Sequence, residues 1–118
     1  IFRTGHNDKY LRPQPADAGL WLEPLQGKSE GWPAPGPDAI AYLKEKGIRC
    51  VASDAPDLGG VDPRQALMTY WALGSREMVG VEFLVNVDKI PVQGAYFLFA
   101  AVKVRDCHGG PGRAIVLW

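Results

Sequence analysis

The Gly/Pro punctuation of residues 5–37 constrains this chain more than any other feature. Pro13, Pro15, Pro24, Pro33, Pro35 and Pro37 fall there, with Gly19, Gly27, Gly31 and Gly36 between them. Proline removes a backbone donor and fixes φ, and glycine weakens any regular element that contains it. Long helices and strands are therefore forbidden across this stretch. An irregular run of that length is uncommon in a compact domain and is often functional. Trp21, Trp32, Leu20, Leu22 and Leu25 lie within it. We expect a packed irregular arm or lid; the other reading is an interface segment.

Regular structure must come from the remainder. Ile1 to Thr4 reads as a short strand stopped by Gly5. Pro37 suits a first helical position, Asp38 suits the positive end of a helix dipole, and Ile40 and Leu43 share a face. Lys44 and Lys46 fall in the last turn and Gly47 supplies a left-handed cap, so a helix ends there. Ile48 to Ser53 follows as a strand with Asp54 at its carboxyl end. Residues 54–62 are a turn-rich loop. Asp62 reads as an N-cap with Pro63 at the first helical position. Leu67, Tyr70 and Trp71 then follow the i, i+3, i+4 spacing, and Gly74 closes the helix. Met78 to Glu82 reads as a strand, Asn86 to Pro91 as a connection, and Ala95 to Val104 as a strand apolar on both faces. Asp106 to Gly112 is a turn, and Arg113 to Trp118 a last strand pairing antiparallel with the one before it. The whole reads as α/β, a mixed β-sheet with flanking helices.

At 118 residues one domain is expected, and a chain of this size buries about two-thirds of its unfolded surface. The expected organisation is a 5–37 arm and a 38–118 α/β core, either as a single domain or as the carboxyl-terminal part of a larger one. Ile1-Phe-Arg-Thr4 reads like a strand entered midway, so we expect a portion of a longer protein. Lys+Arg 13 against Asp+Glu 13 gives a formal net charge of zero. That balance argues against a strongly basic nucleic-acid binder and against an acidic disordered tail. The longest apolar stretch, around Ala95–Val102, is too short to span a bilayer. Cys50 and Cys107 make no disulfide framework, though one bridge stays open; with no secretory leader pattern visible they point to a reducing, cytoplasmic setting.

Among the chemistry-bearing residues Glu82 stands out. A carboxylate closing an apolar strand is either solvated at the rim or half-buried with a partner, because an unpaired buried one is expensive. Metal coordination or general acid/base work would supply that partner. Asp54 and Asp57 lie at another strand end, where open α/β sheets bind ligands; turn formation is the plainer account of both. Asp106, Cys107 and His108 read as a turn with a half-buried thiol, since adjacent side chains point apart. His6 has no neighbour in sequence that makes it special. No H-x-x-x-H, H-E-x-x-H, G-x-S-x-G or phosphate-binding glycine fingerprint occurs. The aromatics lack basic interleaving, so base stacking is not supported.

Several pieces in order resemble the bacterial cyclase family, metal-dependent hydrolases that include kynurenine formamidase and isatin hydrolase. Arg3-Thr-Gly-His6 is similar to the family's R-T-G-W strand end. Pro35-Gly-Pro-Asp-Ala-Ile40 to Leu43, then Lys46-Gly-Ile48, is similar to its G-L-s-x-d-A…L…x-G-I helix. Val51-Ala-Ser-Asp54-Ala-Pro56 is similar to v-G-i-D-t-P. Trp71-Ala-Leu-Gly74, Met78-Val-Gly-Val-Glu82, Asn86-Val-Asp88 and Ile90-Pro91 follow H-x-x-L-L-x-x-G-i-x-i-x-E-n-L-x-N-L-d-x-l-P. Gly109-Gly-Pro-Gly-Arg113-Ala is similar to d-G-s-P-x-R-a.

The resemblance covers the family's carboxyl-terminal half. It implies the carboxyl-terminal portion of a swivelling β/β/α cyclase-like fold. It also implies hydrolysis of an amide, formamide, lactam or lactone bond by metal-activated water, with Zn or Mn as the divalent metal. The family's H-x-G-T-H-x-D-x-P-x-H motif, which supplies most metal ligands, does not occur in this sequence. The family acid matches Glu82, as metal ligand or proton carrier. Twelve residues earlier, where the family has His, this chain has Tyr70. A phenol has a pKa near 10 and is a poor ligand at neutral pH. Tyr70 is expected to line the substrate site and Asp54 to close it. The implied partners are a small-molecule substrate and a homo-oligomer or a partner segment carrying the metal motif, with no nucleic acid and no membrane. The rival reading is a non-catalytic scaffold or oligomerisation module built on the 5–37 arm. A third is a small-molecule binding domain using Trp21, Trp32 and Trp71.

Overall fold

The computed structural model describes residues 1–12 and 17–118, so Pro13 and Pro15 of the arm lie outside the described residues. The chain divides into two compact units, Ile1–Val87 and Asp88–Trp118.

The first unit is a parallel strand–helix–strand arrangement. Helix α3 (Pro37–Glu45) starts at the expected proline, and Gly47 follows it at φ 79°, the left-handed conformation that glycine adopts without Cβ strain. Strand β1 (Cys50–Ala52) pairs in parallel with β2 (Val79–Val81) in the register Cys50–Val79, Val51–Gly80 and Ala52–Val81. The connection between them is α4 (Pro63–Gly74), as parallel strands require a crossover. Its N-cap is Asp62, whose side chain accepts from the Gln65 N–H at 2.8 Å. Phe2 forms an isolated parallel bridge to Ser53, so the expected first strand is a single bridge.

Ile40, Val51, Leu58, Ala72, Leu73 and Met78 form the core, with Leu43 packed against it. The stripe Leu67, Tyr70 and Trp71 on α4 does not face this core. All three are exposed, and the buried residues of the helix are Thr69, Ala72 and Leu73. The small Ala72 permits close packing of the helix. Thr69 Oγ1 lies 2.9 Å from Gln65 O and 3.3 Å from Pro35 O, which explains how a hydroxyl sits fully buried.

Among its described residues the arm contains short helical turns: α1 (His6–Tyr10), a 3₁₀ turn at Ala18–Leu20, and α2 (Leu22–Leu25). That is what its glycines and prolines allow. It packs down through the buried Trp32, while Trp21, Leu22 and Leu25 stay exposed.

The second unit holds an antiparallel hairpin of β3 (Tyr96–Ala101) and β4 (Gly112–Leu117), with Tyr96 opposite Leu117 and Leu98 opposite Ile115. The expected hairpin is present, with a shorter first strand and a last strand displaced by one residue. No helix among the described residues is long and apolar enough to cross a membrane. Cys50 and Cys107 are both free.

Asp54 is 1% exposed, and its carboxylate joins the chain's first residues to the end of β1. Oδ1 accepts from Thr4 N–H at 2.6 Å and Thr4 O–H at 2.8 Å, and Oδ2 accepts from Gly5 N–H at 2.8 Å. Asp54→Ala leaves those donors unpaired and is expected to cost about 3 kcal/mol in urea denaturation. Ile40→Ala, at a side chain with 0% exposure, is expected to cost about 2–5 kcal/mol by the same measurement.

A candidate acidic site at the strand ends

The carboxyl ends of β1 and β2 lie side by side, where parallel α/β sheets place their ligands. Backbone bonds continue past the strands. Ser53 N–H donates to Val81 O at 2.9 Å, Phe83 N–H to Ala55 O at 3.0 Å, and Leu84 N–H to Ser53 O at 3.1 Å. These fix the main chain on both sides of Glu82. Phe83 itself stands at φ 59°. Positive φ is an outlier for a bulky residue and concentrates where a fold holds a functional side chain in place.

Glu82 is half-buried with partners. Its Oε1 accepts a hydrogen bond from the Tyr70 hydroxyl. The same oxygen lies 3.1 Å from Leu58 N, and Leu58 N is 3.2 Å from the Tyr70 hydroxyl oxygen. The helix position twelve residues upstream and the strand end are thus in direct contact. Partial burial, and then the hydrogen bond to Glu82, push the Tyr70 phenol well above its ordinary value of 10.0. Deprotonation would remove a donor and set two negative charges against each other.

Asp57 makes the loop between them. Its Oδ1 accepts from Gly59 N–H at 2.8 Å and Gly60 N–H at 2.7 Å, the local turn expected of aspartate, and from Trp32 Nε1–H at 3.0 Å. A Cβ on Gly59 would lie 2.6 Å from Ala66 and 3.1 Å from Tyr70 Cε2, so only glycine lets the loop sit against α4. Beside the loop, Trp21 stacks on Trp32 with centroids 5.3 Å apart and reaches Phe83 at 6.2 Å. His6 is buried, with its ring edge on Trp32 at 5.4 Å and Nε2 2.9 Å from Leu20 O.

Glu82 and Tyr70 therefore come together, and Asp54 lies in the loop after β1, its carboxylate accepting from Thr4 and Gly5. Leu58 N–H and the Trp32 indole are site components that a sequence scan for reactive side chains does not pick out. The one sequence signal for them is the Asp57-Leu58-Gly59-Gly60 turn pattern. Trp71 stands exposed on α4, outside the ring stack of Trp21 and Trp32. Cys107 Sγ contacts the carbonyl of Gly109, a local turn contact.

No family model matches the chain. Among curated proteins it is 36% identical over 90 residues to an isatin hydrolase of Roseibium aggregatum, covering 72% of this chain and 34% of the relative. Among solved structures, a crystal structure of an isatin hydrolase bound to the product analogue thioisatinate matches with a TM-score of 0.67 at 30% identity. That match covers 86% of this chain and 39% of the other. The chain thus spans about a third of the length of the curated relative it matches.

The raised Tyr70 value sets a pH window. The folded chain holds this proton more tightly than the unfolded one, so the contribution is full below pH 10.0 and is lost as pH rises toward the folded value. In an ultraviolet titration of the four tyrosines, one phenol is expected to ionise late. Tyr70→Phe is expected to remove that late step and leave the others.

Proposed function

Because the chain belongs to the bacterial cyclase family, we propose that it forms part of a hydrolase that opens an amide, formamide, lactam or lactone bond with water, and that Glu82 is its reactive carboxylate. One observation carries this reading. Glu82 sits at the carboxyl end of a parallel strand, half-buried, with Tyr70 and Leu58 both donating to one of its oxygens. The matched relatives are hydrolases by name, and isatin, which that name gives as substrate, is a cyclic amide.

The resemblance implies Zn or Mn, and a catalytic metal needs about three protein ligands and an open position. Among the described residues no group of three or more His, Cys, Asp or Glu is placed to hold a metal ion. Asp54 spends both oxygens on Thr4 and Gly5, and Asp57 Oδ1 accepts from Trp32, Gly59 and Gly60. The described donors of this chain do not fit a metal by themselves. Glu82 would be one ligand of a set completed elsewhere.

What the chain's own residues can do is narrower. Glu82 accepts a proton from water as its oxygen attacks the carbonyl carbon. The scissile C–N or C–O bond then breaks, and the proton passes to the departing nitrogen or oxygen. Tyr70 stays protonated and keeps donating to Oε1. Asp54 is assigned to the framework, joining Thr4 and Gly5 to the strand end, and not to substrate contact.

The test is Glu82→Gln in the full-length protein supplied with Mn(II) or Zn(II), with isatin as the probe substrate. Turnover is expected to fall by about a hundred-fold or more, in the range of lost general acid/base catalysis. Unchanged turnover would overturn this assignment. No turnover in the parent protein, together with no retained metal after dialysis, would favour the scaffold reading.

A further inference from the structure

The Glu82 carboxylate terminates a side chain with several rotatable bonds. Such a group does useful chemistry only when its rotamer is locked by surrounding contacts. Two donors converge on one oxygen: the Tyr70 hydroxyl, and Leu58 N–H with N 3.1 Å away. Leu58 N also lies 3.2 Å from the hydroxyl oxygen, so the three groups close a triangle. The second oxygen, Oε2, lies outside this clamp.

The parts of the clamp are braced separately. The Leu58 side chain is plugged into the core at 0% exposure, which fixes where its N–H points. Asp57 folds the next two residues by accepting from Gly59 and Gly60 N–H, and Trp32 Nε1–H holds Asp57 from the arm at 3.0 Å. Gly59 leaves room for the Tyr70 ring, since a Cβ there would stand 3.1 Å from Cε2. A turn former, a core leucine, two glycines and an indole thus converge on the placement of one carboxylate oxygen.

We propose that Tyr70 is a positioning residue. With Leu58 N–H it clamps Glu82 Oε1 and sets the orientation in which the carboxylate presents its other oxygen, and the Asp57–Trp32 contact holds the clamp in register. This rests on the reading of Glu82 as the reactive carboxylate. Tyr70 then acts through Glu82, whereas a substrate-binding residue would act on the substrate itself.

The experiment compares Tyr70→Phe, Trp32→Phe and Glu82→Gln in the full-length metal-supplied protein, with isatin as probe. Thermal unfolding confirms that each is folded. Tyr70→Phe keeps the ring and removes one charge-assisted donor, so kcat is expected to fall about ten- to a hundred-fold with KM within about two-fold. Trp32→Phe keeps an aromatic ring and loosens Asp57, and is expected to shift kcat in the same direction by less.

A second readout needs no activity. Amide hydrogen exchange at Leu58 is expected to accelerate in Glu82→Ala, which removes its carboxylate acceptor, and to stay slow in Glu82→Gln, which keeps an amide oxygen there. Wild-type kcat and KM in Tyr70→Phe would overturn the proposal. So would a raised KM at unchanged kcat, the signature of substrate contact, or Leu58 exchange indifferent to Glu82→Ala. Full turnover in Glu82→Gln would instead overturn the reading of Glu82 and the clamp's function with it. That failure is told apart from loss of the clamp alone by the Leu58 exchange.

Discussion

The loop from Asp54 to Gly60 is almost wholly buried, and a buried loop must find a partner for each backbone polar group it carries. The rest of the larger unit follows from how it does so. Ala55 N–H donates to Ser53 Oγ, and Ala55 O accepts from Phe83 N–H. Gly59 and Gly60 N–H are taken up by Asp57, and Leu58 N–H by Glu82 and Tyr70. Only the last of these reaches Glu82, the carboxylate proposed to react. The site is thus a by-product of satisfying a buried turn between a strand and its crossover helix. The same turn supplies both the plug of the hydrophobic core, Leu58, and the donor that orients Glu82.

The two aspartates of this loop show how one residue type takes two positions in the same economy of donors. Asp54 reaches outward in sequence, to Thr4 and Gly5, and ties the chain's first residues to the end of β1. Asp57 reaches its own neighbours and one distant indole. Glu82, like Asp54, takes a side-chain hydroxyl and a backbone amide, but its hydroxyl stands on helix α4 and its amide in the buried loop. Substituting the hydroxyl leaves the main chain intact. That separates what holds the fold from what tunes the carboxylate.

The hairpin obeys a different constraint. An antiparallel pair with one wet face shows clean alternation of apolar and polar residues. Here Tyr96, Leu98, Ile115 and Leu117 share one face, and Phe97, Phe99, Ala114 and Val116 the other. Both faces are apolar, as the sequence pattern of Ala95 to Val104 foretold. The family relationship rests on the matched lengths of isatin hydrolase, and the chain covers about a third of the curated one.

Much of the fold was legible in the residues because its signals are local. The helix from Pro37, the left-handed Gly47, the Asp62 cap with Pro63 and the Gly/Pro turn between the last two strands depend on backbone preferences that act within a few residues. The twelve-residue spacing of Tyr70 and Glu82 marked the site, once the family resemblance gave that spacing a meaning. The face of α4 was not legible: Leu67, Tyr70 and Trp71 have the right period, yet the helix buries Thr69, Ala72 and Leu73. Periodicity marks which residues share a face, and only the neighbouring strands and arm decide which face is covered. The indole of Trp32 on Asp57, across twenty-five residues, and the Leu58 amide on Glu82, across twenty-four, were equally out of reach. Sequence fixes which groups a residue can donate or accept; which distant partner it meets is settled when the chain closes on itself.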